Sequence, residues 1–262
     1  MHRDEDAPAR VVTAAQECWI EPFSGLRPRV FARLVRELER EGTDAPRRGR
    51  PWSLPFADRA LVTIAYWRTN LTLRQLAVLF GISKSTVGRI IDDTGPRLAL
   101  RHRKRFVPGT VLIVDGTLVP TRDRSIAAPS KNYRYSTNHQ IVIDAGPQLV
   151  VAVGTPLPGN RHDCKAFGES GAEHACRNVD VIGDGGYMST SAIIPHRRRP
   201  GEDLPEWKEA HNASHRKARA RVEHAFARMK TWKILRDCRL KGEGVAIAMS
   251  GIARLHNLTR TA

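Results

Sequence analysis

The sequence has little of what secreted, membrane-spanning or zinc-binding proteins require. Its 262 residues include only 4 Cys, and no two of them form a Cys-x-x-Cys pair. This usage argues against a disulfide framework or a structural zinc site and favours reduced thiols in the cytosol. The sequence also lacks a long apolar run, and its first residues are polar, so we expect neither a signal peptide nor a transmembrane helix. These absences predict a cytoplasmic protein with no membrane partner.

Acidic residues are scarce relative to basic ones. The chain has 43 Lys and Arg but 27 Asp and Glu, so its formal net charge is +16 and its isoelectric point is near 10.5. This excess favours a polyanionic partner. The basic residues are spread along the chain rather than gathered on one amphipathic helix, so nucleic acid is favoured over a membrane surface. With 41% hydrophobic residues, the chain can still form an ordinary core.

A helical segment and a basic linker are predicted over residues 1–52. Apolar residues recur at helical spacing over 26–42, which predicts a helix. Pro and Gly within 46–52 then predict a linker. The Arg-Gly-Arg-Pro core of this linker also resembles the AT-hook, whose arginines lie in a narrow minor groove. Arg48 and Arg50 are therefore candidate DNA contacts.

Residues 53–105 are predicted to form an all-α helix-turn-helix domain. After a helix over 55–68, Thr72 can cap a second helix, Gly81 permits a sharp turn, and Ser83 can cap a third helix. The outer face of the third helix carries the candidate DNA contacts Lys84, Ser85, Thr86 and Arg89. The alternative is a plain helical hairpin with solvated polar residues. The small-residue turn and the basic, hydroxyl-rich last helix favour DNA binding.

Residues 106–262 are predicted to form a mixed α/β domain. Short apolar runs bounded by turn residues predict strands near 111–115, 138–145, 148–156, 179–184 and 192–195. Longer patterns predict helices over 163–174, 206–232 and 243–259. This order is that of the ribonuclease-H-like fold, a mixed five-stranded sheet flanked by helices. The predicted fold class is therefore α/β of the mixed α+β kind, preceded by an all-α domain.

Three acidic residues are placed where they could form one site. Asp115 and Asp184 each end an apolar run, and Glu223 lies within a predicted helix. Two strand-end aspartates and a helical glutamate can converge on a pair of cations. Carboxylates suit Mg²⁺ or Mn²⁺ better than zinc. We therefore expect two divalent metal ions, bound by these three acids.

Four motifs give the sequence a family resemblance. They are Val-Asp-Gly-Thr at 114–117, Pro-Gly-Asn-Arg-His-Asp at 158–163, Gly-Asp-Gly-Gly-Tyr at 183–187, and Arg219, Glu223 and Lys230 on the long helix. In this order, behind a helix-turn-helix, they resemble DDE transposases of bacterial insertion sequences, in the Harbinger-like branch of insertion sequence family 5. The resemblance covers about residues 50–258.

The resemblance implies that the three acids are catalytic metal ligands. It also implies that Arg219 and Lys230 hold DNA phosphates beside the metal ions. Related families often carry a tyrosine three residues before this arginine, whereas this chain has Arg216 there. Either the phosphate contact extends to Arg216 or the role of the tyrosine is absent.

Asp163 is an alternative candidate for the second catalytic acid, because it ends the matching motif at 158–163. Asp184 is preferred, since it lies at a strand end beside the Asp115 strand in the expected fold. Asp163 is then expected to cap the following helix or to support the site, with His162 as a further supporting residue.

The resemblance implies a transposase that binds terminal inverted repeats of an insertion sequence and catalyses metal-dependent strand cleavage and strand transfer. Double-stranded DNA is the expected partner, and at least a homodimer is expected on DNA because two ends must be joined. The expected location is the bacterial cytoplasm, in association with the nucleoid. Two alternatives stay open. One is a non-catalytic helix-turn-helix regulator, and the other is a metal-dependent DNA endonuclease without strand transfer.

Overall fold

The computed structural model describes residues 10–42 and 51–261. Its helices are α1 (Ile20–Ser24), α2 (Pro28–Arg40), α3 (Phe56–Thr69), α4 (Leu73–Phe80), α5 (Lys84–Arg97), α6 (Asp163–Glu169), α7 (Ala172–Ala175), α8 (Glu206–Met229) and α9 (Gly244–Arg260). Its strands are β1 (Val111–Pro120), β2 (Ser136–Asp144), β3 (Val150–Val153), β4 (Leu157–Pro158) and β5 (Asp180–Ile182). The predicted DNA contacts Arg48 and Arg50 lie outside the described residues.

The helix-turn-helix forms where its capping residues predict it. The Thr72 hydroxyl accepts a hydrogen bond from the Gln75 backbone N–H, and the Gln75 side chain accepts one from the Thr72 N–H, so α4 begins with a capping box. Gly81 ends α4 with a φ of 61°, a left-handed conformation that favours glycine. Ser83 then accepts a hydrogen bond from the Thr86 N–H and begins α5.

A five-stranded mixed sheet lies at the centre of the C-terminal region. Its order is β3-β2-β1-β5, with β4 paired to β2. β1 is antiparallel to β2 and parallel to β5. Helices α8 and α9 pack on one face of the sheet, and α6 and α7 pack on the other. The structure thus confirms the predicted fold class, a mixed five-stranded sheet flanked by helices and preceded by a helical region.

Several predicted boundaries differ from the structure for local reasons. The predicted strand over 148–156 is shorter, as β3, with β4 following as a separate two-residue strand. The predicted helix over 163–174 is divided into α6 and α7, because Gly171 has a φ of 78° and interrupts it. The predicted strand over 192–195 is reduced to a single bridge between Ile182 and Ile193.

The last helix, α9, joins the helical region to the sheet. A Cβ atom at Gly251 would lie 2.3 Å from the Trp67 ring of α3, so glycine permits the two helices to approach closely. On the other side, the Asn257 side chain donates to the Val150 carbonyl oxygen at 2.7 Å and accepts from the Val150 N–H at 2.8 Å. Both regions therefore share one hydrophobic core.

The cysteines of the chain are unpaired thiols, and two of them are buried. All four cysteines are free. Burial raises the pKa of the Cys176 thiol to about 12 and that of Cys238 to about 11, so both stay protonated near neutral pH. Across 10–42 and 51–261, no helix combines the length and apolar character needed to cross a membrane.

Candidate active site

The central strand β1 presents Asp115 toward helix α8. Successive residues of a strand face opposite sides. Ile113 and Val119, on the same side as Asp115, pack in the core that includes α8 and α9, whereas Val114 packs on the other face. The Asp115 side chain is 17% exposed, and its carboxylate accepts a hydrogen bond from the Gly116 N–H at 2.9 Å. The acid is thus mostly buried between the sheet and α8.

Asp184 follows β5, the strand that is parallel to β1. Ile182 pairs with Ile113, so Asp184 and Asp115, each two residues further along, lie at the same level of the sheet. The Asp184 carboxylate accepts a hydrogen bond from the Gly186 N–H at 2.8 Å, which starts a tight turn. Its side chain is 39% exposed and therefore accessible to solvent.

Arg219 of α8 bridges the two carboxylates. Its Nη2 atom lies 3.1 Å from Asp115 Oδ2 and 3.8 Å from Asp184 Oδ2. Lys230, eleven residues later on nearly the same side of the helix, also interacts with Asp115. Burial lowers the pKa of Lys230, and the negative charge of Asp115 partly offsets this effect. One helix face thus carries two cations toward the acidic residues.

The surroundings of Asp115 disfavour its negative charge. Burial raises the pKa of the Asp115 carboxyl from 3.8 to about 6. Arg219 and the Gly116 N–H lower this pKa, whereas the neighbouring Asp184 and Asp163 raise it further. Burial thus outweighs the attraction of Arg219, and an additional positive charge beside Asp115 would favour the ionised carboxylate.

A third carboxylate, that of Asp163, lies on the other face of β1. Its Oδ1 atom accepts hydrogen bonds from Asn138 Nδ2 and Gln140 Nε2, each at 2.9 Å. A Cβ atom at Gly116 would lie 2.2 Å from this oxygen, so a side chain there would displace the carboxylate. The Tyr187 hydroxyl donates to Gln140 Oε1 at 2.6 Å and thereby fixes the orientation of the Gln140 amide.

Asp163 does not cap its own helix. α6 begins at Asp163, and the cap position is occupied by His162, which makes no side-chain capping hydrogen bond. The Asp163 carboxylate is instead bonded to side chains of β2. His162 itself is exposed to solvent.

Glu223 stands apart from the two aspartates. It is exposed on α8, one turn after Arg219, and it makes no hydrogen bond or ion pair with any residue that the structure describes. Arg216 is exposed on the same helix. Within the described ranges, no group of three or more His, Cys, Asp or Glu side chains is arranged to hold a metal ion. The structure thus brings together Asp115, Asp184 and Arg219 and leaves Glu223 in solvent.

The polar residues beneath the site were missed by the sequence analysis. Asn138 and Gln140 are buried in β2, and Tyr187 is fully buried after Asp184. Their signal is the unbroken run of polar residues at 136–140, which fills the first half of β2 directly before three apolar residues. Because the first half of β2 is buried on both faces, these side chains require internal partners.

The candidate DNA contacts of the helix-turn-helix lie at the start of α5. Lys84, Ser85 and Arg89 are exposed, and Thr86 is half-buried. Arg89 Nη2 donates to Thr86 Oγ1 at 3.1 Å, which holds the guanidinium along the outer face of the helix. The first turn of α5 is therefore accessible to the groove of a DNA duplex.

Comparisons with known proteins identify the two regions. Residues 108–258 match the family described as "Transposase DDE domain", and residues 52–104 match "Helix-turn-helix of DDE superfamily endonuclease". The chain is 67% identical over 254 residues to "Putative transposase for insertion sequence element IS112" of Streptomyces albus G, which covers 97% of this chain and 99% of the relative. It is 24% identical over 238 residues to "Probable transposase for insertion sequence element IS702" of Microchaete diplosiphon, and this match covers 81% of this chain and 83% of the relative.

A solved structure is also similar, although more distantly. It is the cryo-EM structure of a piggyBac transposase synaptic complex with hairpin DNA, with 12% sequence identity and a TM-score of 0.45 over 92% of this chain and 73% of that one. The family is assigned without this structure, from the family match over 108–258 and from the 67% identity across nearly the whole length of the Streptomyces relative. The chain therefore belongs to the DDE transposase family of insertion sequences, with a helix-turn-helix DNA-binding region ahead of the DDE domain.

Proposed function

We propose that this transposase binds the terminal inverted repeats of its insertion sequence and catalyses cleavage of the DNA strand at the element's end, followed by transfer of that strand to a target. The observation that carries the proposal is the placement of Asp115 and Asp184 at one level of two parallel strands, with Arg219 across both. The proposal also places the chain in the Harbinger-like branch of insertion sequence family 5. It divides the chain at residues 1–52, 53–105 and 106–262.

Asp115, Asp184 and Glu223 are the proposed catalytic acids and ligands of two divalent cations, Mg²⁺ or Mn²⁺. Glu223 follows Arg219 by four residues, so both lie on one side of α8. Because Glu223 has no partner among the described residues, its side chain is free to change rotamer toward Asp115. Asp163, held by two amides of β2, and the neighbouring His162 have supporting roles in this proposal.

The residues fit such cations. DDE superfamily transposases use divalent metal ions, and the donors here are carboxylate oxygens, which Mg²⁺ and Mn²⁺ prefer. Burial raises the pKa of Asp115, and the neighbouring Asp184 and Asp163 raise it further, so a cation beside the carboxylate would favour its ionised form. When bound, the divalent cations supply Lewis-acid activation of a phosphodiester.

Positive side chains around the acids are proposed to hold the substrate. Arg219 of α8 and Lys230, the residue directly after α8, both interact with Asp115 and can pair with phosphate oxygens of the substrate. Arg216, one turn before Arg219 and exposed, extends this line of charge. In the helix-turn-helix, the outer face of α5 contacts base edges or phosphates through the four candidate residues at 84–86 and 89.

The test is cleavage of duplex DNA that carries one inverted repeat, with Mg²⁺ present. Wild-type protein should cut at the element's end, and Asp115→Asn should lose at least about 100-fold in rate, since loss of even an outer-shell partner of a metal costs 10–100-fold. Asp180→Asn is the matched control, because this exposed carboxylate lies on β5 at the opposite end from Asp184. Retained strand transfer in Asp184→Asn or Glu223→Gln would remove that acid from the proposed set.

The same assay separates the competing functions. Specific binding without any cleavage would identify a regulator, and cleavage without joining would identify an endonuclease. Joining two ends at once requires two active sites, so the proposal includes at least a homodimer on DNA. Sedimentation of the protein with and without inverted-repeat duplex measures this, and a strictly monomeric complex with active strand transfer would contradict it.

A further inference from the structure

Two basic segments lie side by side between the helix-turn-helix and the acidic site. One is the loop at 121–135 between β1 and β2, and the other is the stretch at 230–241 between α8 and α9. The Cys238 N–H donates to the Pro120 carbonyl oxygen at 2.8 Å, and the Arg122 N–H donates to the Cys238 carbonyl oxygen at 2.9 Å. These hydrogen bonds hold the two segments together as one surface.

The acids of these segments are engaged in holding the segments together. Asp237 accepts two hydrogen bonds from the Arg122 guanidinium, at 2.8 and 2.5 Å. Asp123 accepts one from the Gly242 N–H at 2.8 Å and others from Ser125. Their charges are therefore used within the surface.

Six exposed cations are left on this surface. We call them the basic ridge: Arg124, Lys131, Arg134, Lys233, Arg236 and Lys241. None of the six lies within ion-pair distance of a carboxylate in the described part of the chain, and the closest electrostatic link is that of Lys241, whose charge helps to lower the pKa of Asp123. By contrast, the loop and helix start at 196–209 carry equal numbers of basic and acidic residues, four of each, and Arg198 there pairs with Asp203.

The basic ridge is attached to both functional regions. The Arg239 guanidinium donates to the Asn70 side chain and to the Asn70 and Leu71 carbonyl oxygens, directly before the start of α4. Asn70 Nδ2 in turn donates to the Asp237 carbonyl oxygen at 2.9 Å. At its other end, the second segment begins at Lys230, whose charge interacts with Asp115.

We propose that the basic ridge binds the phosphate backbone of duplex DNA between the sequence held by α5 and the strand held at Asp115 and Asp184. This inference rests on the proposed function, because it requires one duplex to reach both sites. Duplex DNA carries about one negative charge per 1.7 Å of its length, so a duplex that crosses this surface meets unpaired cations. The ridge therefore binds the stretch between recognition and cleavage without reading its sequence.

The experiment measures duplex binding as a function of salt concentration. The double variant Lys233→Gln with Lys241→Gln removes two exposed ridge charges that make no side-chain hydrogen bond or ion pair with other described residues. Each lost phosphate contact lowers the slope of log K against log salt by about 0.9, so the slope should fall by roughly 1.8. Fluorescence anisotropy with labelled inverted-repeat duplex gives this slope directly.

The matched control is the double variant Arg197→Gln with Arg199→Gln, which removes the same charge from the exposed loop after His196. Its slope should equal that of the wild-type protein. An unchanged slope in the ridge variant, or an equal fall in slope in both double variants, would overturn the proposal that the basic ridge binds the phosphate backbone. On a shorter duplex that ends at the recognised sequence, the ridge variant and the wild-type protein should have the same slope of log K against log salt. A difference in slope that persists on this duplex would overturn the proposal that the ridge binds the DNA between recognition and cleavage.

Failure of the proposed function gives a different result. If wild-type protein binds inverted-repeat and random duplexes equally and cleaves neither, recognition and catalysis are refuted. The comparison of the two double variants on the same duplex still decides whether the ridge contacts phosphates, because it measures binding alone. If only the ridge variant then differs from the wild-type protein in its slope of log K against log salt, the ridge still binds DNA.

Discussion

Replacing Asp115 by Asn should stabilise the metal-free protein at alkaline pH. The folded protein holds this carboxyl at a pKa of about 6, against an ordinary value of 3.8, chiefly because the carboxyl is buried. Folding therefore favours the protonated form, and the folded state loses stability as the pH rises from 3.8, where the unfolded carboxyl ionises, to about 6. At about 1.4 kcal/mol for each tenfold change in the ionisation constant, the cost is roughly 3 kcal/mol when ionisation is complete.

The sign of the pH dependence follows from the raised pKa. Well below pH 3.8 the carboxyl is protonated in both folded and unfolded states, so the variant and the wild-type protein should differ little. As the pH rises from 3.8 to about 6, the wild-type protein loses stability that Asp115→Asn keeps, and the difference should have its full value at pH 8. The expected rise in Tm is on the order of 5–10 °C.

The assay is urea or thermal denaturation in EDTA at pH 4.5, 6 and 8. Asp180→Asn, which removes an exposed carboxylate from β5, is the control and should leave stability nearly unchanged at every pH. An Asp115→Asn protein that is no more stable than wild type at pH 8 would refute the claim that burial and crowded charge raise the pKa of this carboxyl. Adding Mg²⁺ should stabilise the wild-type protein and not the variant.

Three further predictions concern the groups around the site and the DNA-binding helix. Gly116→Ala should lower cleavage at least about tenfold with an unchanged circular dichroism spectrum, because its Cβ would displace the Asp163 carboxylate. Tyr187→Phe leaves the buried Gln140 carbonyl oxygen without its donor and should cost about 1–3 kcal/mol in urea denaturation. Ser83→Ala removes the cap of α5 and should cost about 1 kcal/mol, with thermal denaturation as the measurement.

Local signals in the sequence were sufficient for the helix-turn-helix and for the two aspartate strands. Thr72, Gly81 and Ser83 act through neighbours within a few residues, so their roles are visible without knowledge of the fold. Asp115 and Asp184 each follow an apolar run, and the parallel pairing of those runs places the acids at one level. The proposed division of roles among the acids is still a prediction.

Features that depend on register between distant segments could not be predicted. Gln140 faces Asp163 only because β2 pairs with β1 so that Gln140 lies opposite Gly116. A shift of one residue would turn the Gln140 side chain to the other face of the sheet. Likewise, the close approach of Trp67 to Gly251 joins helices that are far apart in the chain, and no periodic pattern in either segment indicates it.

The position of α9 has a consequence for how the protein matures on the ribosome. This helix is synthesised after every element that it contacts, yet it completes the packing around both α3 and β3. A nascent chain that lacks it exposes apolar surface on the DNA-recognising half and on the nuclease half at the same time. Because the same last-synthesised helix completes the packing of both halves, neither half has its full set of core contacts until α9 has docked.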